Sequence, residues 1–94
     1  LGNSAPMHTN ILLAGYGRMG RALAAGWARA GLLAQARLTV VEPSPAPGDA
    51  LPAQAAWVEK LEQLPPGYAP QAVVLAVKPQ ALEEVLPRYA ARFG

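Results

Sequence analysis

The stretch LAGYGRMGRAL, Leu13–Leu23, carries Gly15, Gly17 and Gly20 at the spacing G-x-G-x-x-G, with Tyr16, Arg18 and Met19 between them. This spacing has a mechanical use where a strand turns sharply into a helix. The first glycine permits the tight turn. The second lets the backbone approach a pyrophosphate with no Cβ in the way, and the third lets the helix pack close to the strand. The helix N-terminus then offers unpaired N–H groups and about half a positive charge to an anion. Arg18 and Arg21 stand at that same end of the helix, where a cation is disfavoured by roughly 0.3–1 kcal/mol. A bound pyrophosphate reverses the sign for Arg18, whereas exposure to water only screens the penalty. Arg21 is the less suited of the two to reach phosphate or ribose.

Two further segments carry chemistry. Glu42 closes the apolar run RLTVVE, 22 positions after Gly20. A dinucleotide fold places there the acid that takes the hydroxyls of the adenine ribose. A carboxylate at that point repels a 2′-phosphate and favours NAD, while Ser44, beyond Pro43, offers a hydroxyl to a 2′-phosphate and keeps NADP open. The alternative for Glu42 is an exposed loop glutamate. Lys78, in LAVKPQALEEVL, stands between an apolar run and a helix opened by Pro79. The carboxyl end of a strand in an open α/β sheet faces the ligand crevice, although a solvated loop lysine has the same sequence appearance. No residue stands out as a general acid. Lys78 and Tyr89 are available, but Tyr89 shares the apolar helical face of its segment and reads as core.

The elements that position these residues alternate. Asn10–Gly15 is a short apolar run ending in glycine and reads as a buried strand. Arg18–Ala30 reads as a helix, with Met19, Leu23 and Trp27 on one apolar face beside a groove of Ala22, Gly26 and Ala30; Gly31 suits its C-terminal cap. Arg37–Glu42 is a second strand. Pro43–Pro52 contains Pro43, Pro45, Pro47 and Gly48, so no regular helix spans it and at most a short turn forms near Asp49–Leu51. A short third strand is expected within Ala53–Val58, a brief helix over Glu59–Leu64, and a loop over Pro65–Pro70. Gln71–Val77 has no charge and reads as a buried strand. The last helix starts at Pro79, a residue suited to the first helical position. Its apolar face carries Leu82, Val85, Leu86, Tyr89 and Phe93, and Pro87 should kink it. The alternation predicts an α/β fold: a partial Rossmann-like parallel sheet of about four strands in the order 3-2-1-4, with flanking helices.

Composition narrows the classes. The chain has 94 residues, a net charge of +2 and no cysteine. One domain is expected, with neither disulfides nor thiolate metal sites, as suits a reducing, cytoplasmic setting. The basic residues are scattered, which argues against a nucleic-acid partner. No apolar run is long enough for a bilayer, and no leader pattern stands at the start. LGNSAP, Leu1–Pro6, reads as a tag remnant before Met7, leaving residues 7–94 as the dinucleotide-binding domain. The single His8 reads as a surface residue, and no metal is expected.

AGYGRMGRAL, the GLL after the first helix, EPSP after the second strand and LAVKPQALEEVL together resemble the N-terminal domain of pyrroline-5-carboxylate reductase. The glycine motif alone is shared by many dehydrogenases; its pairing with A-V-K-P is much more specific. The resemblance covers nearly all the chain after Met7. It implies reduction of the cyclic imine 1-pyrroline-5-carboxylate to proline with hydride from NAD or NADP in reduced form, a step of proline biosynthesis. By motif match Gly15–Gly20 would hold the pyrophosphate, Glu42, Pro43 and Ser44 the adenosine ribose, and Ala76, Val77, Lys78 and Pro79 the nicotinamide side. It further implies a C-terminal helical domain, beyond this chain, that supports homo-oligomers and most of the substrate site. On that basis the chain alone is expected to bind cofactor without turning over. The chain departs from the family at Glu42, where a small or polar residue is common. Its proline-rich loop replaces the family's long second helix, and a cofactor-contacting asparagine near the third strand has no counterpart. Two alternatives stand beside this reading: a non-catalytic dinucleotide-binding module, and a domain of another imine or hydroxyacid reductase.

Overall fold

A computed structural model describes residues 9–45, 51–52 and 55–94. The expectations for Leu1–Pro6, Met7 and His8, for Pro47, Gly48 and Asp49, and for Ala53 and Gln54 lie outside the described residues. Four strands, β1 (Thr9–Ala14), β2 (Ala36–Val41), β3 (Ala56–Val58) and β4 (Ala72–Leu75), form one parallel sheet in the order β3-β2-β1-β4. Two helices, α1 (Arg18–Arg29) and α2 (Pro79–Phe93), complete the described α/β fold with short 3-10 turns at Leu32–Ala34 and Leu61–Gln63. The expected order 3-2-1-4 and Rossmann-like architecture are therefore present.

β1 is an inner strand and carries buried apolar side chains on both faces. Ile11 and Leu13 enter one core with Ala24, Leu38 and Val40, while Leu12 and Ala14 enter the other with Val41, Leu61, Leu64 and Tyr89. Leu12 and Leu13 are 0% exposed, and burying each stabilises the fold by roughly 1.5–3 kcal/mol. Such near-continuous apolar strands belong to parallel sheets covered on both sides.

Several expectations change. Gly15 and Glu42 each lie one residue past their strand, and Gln71–Val77 shortens to Ala72–Leu75. β4 is half-exposed rather than buried, because it stands at the sheet edge. The brief helix over Glu59–Leu64 is a single 3-10 turn. On α1, Met19 is 62% exposed, and Ala22 and Ala30 also face solvent. The buried stripe is instead Gly20 and Ala24, flanked by Leu23 and Trp27. The close seat of Gly20 against the turn sets the helix rotation and carries Met19 off the sheet. On α2, Leu86 is 49% exposed while Tyr89 is buried. Gly31, at φ +79°, supplies the left-handed residue after α1. As expected, Pro87 lies within α2. Pro87 and Glu83 both face solvent, so water can take up the carbonyl that the proline leaves without a donor.

Candidate dinucleotide site

The glycine turn is built from the end of β1 outward. Gly15 sits at φ +98°, in the left-handed region that glycine enters at little cost. A Cβ there would lie 2.6 Å from the Ala76 carbonyl oxygen and 2.9 Å from Val77 Cγ1. Its N–H donates to the Val41 carbonyl at 2.9 Å, and the Ala76 N–H donates to the Ala14 carbonyl at 2.8 Å. The turn is thus fastened to the carboxyl ends of both neighbouring strands. A Cβ on Gly20 would run into the Gly15 carbonyl oxygen, so the helix can seat against the turn only with glycine there.

Gly17 differs from both. Its φ is −77°, open to any residue, and a Cβ on it would meet nothing within 4 Å. No neighbour among the described residues demands glycine at this position, whereas a ligand pressed against the backbone would. Gly17 is the N-cap of α1, with no side-chain cap and no acid in the first turn. The helix start is left with donors and positive potential. These observations fit the pyrophosphate of a dinucleotide.

Glu42 is the pivot of the site. One carboxylate oxygen accepts the Tyr16 N–H at 2.8 Å and the other accepts the Ser44 N–H at 3.1 Å; the Glu42 N–H donates to the Val58 carbonyl at 2.9 Å. Glu42 lines two cavities at the carboxyl ends of the strands. The smaller, about 230 Å³, is bounded by Tyr16, Gly17, Arg21, Ser44, Pro45 and Trp57. Tyr16 meets Trp57 edge-on with ring centres 5.3 Å apart. Burial pushes the Tyr16 phenol up from its ordinary value, and the Arg21 charge opposes this. The larger, about 300 Å³, lies towards α2 and includes Gly15, Pro43, Val77, Ala81, Val85 and Tyr89. Its apolar lining suits a planar base.

The residues singled out in the sequence separate accordingly. Gly15, Tyr16, Gly17, Glu42, Pro43, Ser44 and Val77 border one or both cavities. Ala76 is buried behind Gly15, and Gly20 lies beneath the turn. Arg18, Met19, Lys78 and Pro79 are exposed and border neither of these two cavities. Lys78 is instead the N-cap of α2, its carbonyl accepting from the Ala81 and Leu82 amides at 2.9 Å. Arg21, discounted in the sequence, is the arginine that lines the smaller cavity. Its position, four residues after the N-cap Gly17, returns it to the side of the helix nearest that glycine. Trp57 was missed as a site residue, since a three-residue strand carries little pattern. Among the described residues no three histidine, cysteine, aspartate or glutamate side chains gather as metal ligands, and no helix is long and apolar enough to cross a membrane.

A four-stranded parallel sheet with a glycine turn at the head of its central strand defines a Rossmann-like α/β domain. The chain belongs to the family described as NADP oxidoreductase, coenzyme F420-dependent, which matches residues 10–92. It is therefore an NAD(P)-binding oxidoreductase domain. Comparisons with curated proteins and with solved structures gave no significant match.

Proposed function

We propose that this chain is the cofactor-binding domain of a pyrroline-5-carboxylate reductase, taking part in reduction of 1-pyrroline-5-carboxylate to proline in the cytoplasm. The matching family includes such reductases. The observation that carries the reading is the contact between Gly15 and the Ala76–Val77 pair, where no Cβ fits. The two motifs on which the resemblance rests are thereby joined at one point of the fold. Gly17 and the open start of α1 hold the pyrophosphate, the adenosine lies towards Glu42, Pro43 and Ser44, and the nicotinamide lies towards Ala76, Val77, Lys78 and Pro79. The nicotinamide supplies the hydride when bound. The chain's own residues bind and orient it, since Ala76 and Val77 carry no proton-transfer group.

Titration with NADH and NADPH, followed by assay of nicotinamide oxidation with pyrroline-5-carboxylate using the product of the complete gene, tests this reading. Binding together with imine-dependent oxidation supports it. Binding with turnover of a hydroxyacid or another imine in place of pyrroline-5-carboxylate reassigns the substrate. Binding with no turnover by the complete protein favours a non-catalytic module.

A further inference from the structure

The description of the matching family names NADP. With the adenosine towards Glu42, Pro43 and Ser44, the smaller cavity is where its 2′-phosphate would have to be accommodated. The charges there do not fit that group. Among the described residues bordering this cavity, Arg21 is the cation and Glu42 the anion, so the formal charges of the lining cancel. A phosphate monoester brings about −1.5 to −2 charges at neutral pH and would meet no net positive wall. Arg18 is exposed and borders neither of the two cavities, so it adds no second cation. The Tyr16 and Ser44 N–H groups are both taken by the Glu42 carboxylate, at 2.8 and 3.1 Å. Swinging that carboxylate away from an incoming anion would leave both amides without their acceptor. A ribose diol meets the opposite conditions, because it is neutral and brings two hydroxyl donors. A carboxylate offers about four acceptor sites, and after the two amides each Glu42 oxygen keeps a lone pair.

We infer that this domain takes NAD(H), against the coenzyme by which its family is described, and that Glu42 makes the choice. Its free lone pairs receive the hydroxyls of the adenosine ribose, and its negative charge turns a 2′-phosphate away. This rests on the dinucleotide reading above and deepens it by assigning the coenzyme. A glutamate on a free loop would carry the same charge but could turn out into water. The Tyr16 amide in the glycine turn and the Ser44 amide after β2 hold Glu42 in the cavity wall and deny it that freedom. Arg21, on the same cavity, offsets part of the repulsion, so its loss should sharpen the preference.

Calorimetric titration of the 94-residue chain with NAD⁺, NADP⁺, 5′-ADP and 2′,5′-ADP tests the assignment. The wild type should bind each ligand without the 2′-phosphate about tenfold or more tightly than its phosphorylated counterpart. Glu42→Gln and Glu42→Ser should bring that ratio near one, by weakening NAD⁺ and tightening NADP⁺. Arg21→Gln should raise the ratio, and since Arg21 is exposed this variant should keep the wild-type circular dichroism. The wild-type ratio should also shrink as salt rises from about 0.05 to about 0.5 M, because charge repulsion is screened. If a Glu42 variant loses its fold, the wild-type ratio, its salt dependence and Arg21→Gln decide the matter. Equal wild-type affinities, or a preference for NADP⁺, overturn the proposal while leaving the dinucleotide reading intact. A ratio unmoved in folded Glu42 variants, or one lowered in Arg21→Gln, equally overturns it. Failure of all four ligands to bind at millimolar concentration removes the dinucleotide reading itself.

Discussion

The three glycines of one motif answer to three different neighbours. Gly15 is required by its backbone and by Ala76 and Val77 just past β4, Gly20 by the turn it packs against, and Gly17 by nothing among the described residues. Substitution by alanine should separate these roles. Gly15→Ala should lower stability by roughly 1–3 kcal/mol or more, from the left-handed φ and the contact with Ala76. Gly17→Ala should cost under about 1 kcal/mol as a change of N-cap, yet weaken dinucleotide binding about tenfold or more by filling the space the pyrophosphate needs. Thermal denaturation and coenzyme titration of the two variants check both halves. Equal loss of stability in the two would contradict the division. Glycine spacing revealed that this turn exists and which ligand class it suits. It did not distinguish Arg18 from Arg21, because the rotation of α1 depends on how closely Gly20 seats.

At the scale of elements, α2 is held to the β3–β4 connection by its last turns. The Arg92 guanidinium donates to the Leu61, Leu64 and Pro65 carbonyls at 3.3, 3.4 and 2.8 Å, and its charge stands 5.5 Å over the Phe93 ring. Arg88 adds a 2.7 Å ion pair to Glu62 on the exposed side, a contact of small worth in water. Arg92→Ala should therefore destabilise the domain by about 1–2 kcal/mol, since it removes a charged donor from three carbonyls, of which those of Leu61 and Pro65 keep the Leu64 and Tyr68 amides, while Arg88→Ala should change little. Urea denaturation of both variants checks the contrast. The existence and type of β1, β2, β4, α1 and α2 could be read from periodicity, because their apolar runs and helical faces follow from burial. Arg92 gave no signal. Its acceptors are carbonyls 27 to 31 residues away, which only the folded chain brings near.

In the whole molecule, two properties follow from where surfaces end. Burial raises the phenols of Tyr16, Tyr68 and Tyr89 above their ordinary value of 10.0. The folded state then keeps protons that the unfolded state releases. Stability from these groups is full below about pH 10 and is lost as pH rises through their raised values. Thermal midpoints should stay level through neutral pH on this account and fall above pH 10, with the fall reduced in Tyr89→Phe. The second property is the sheet edge. Among the described residues β4 pairs only with β1, carries no charge or proline, and exposes Val73 beside Leu86. Such an edge lacks the usual protection against pairing with another chain. The 94-residue chain should self-associate at high concentration, and Val73→Lys should suppress this in light scattering; a monodisperse wild type would contradict it.

What the sequence determined by itself is the order of elements, the parallel sheet and the position of the glycine turn. These depend on local periodicity and on glycines whose spacing is read along the chain. Tertiary structure decided which side chains line the two cavities. The Glu42 carboxylate meets the Tyr16 amide across 26 residues of sequence, and Arg21 reaches the same cavity only through the seating of α1. The reason is physical. A side chain's partners are set by helix rotation and strand ends to within an ångström or two, whereas apolar patterning resolves only which face of an element is buried.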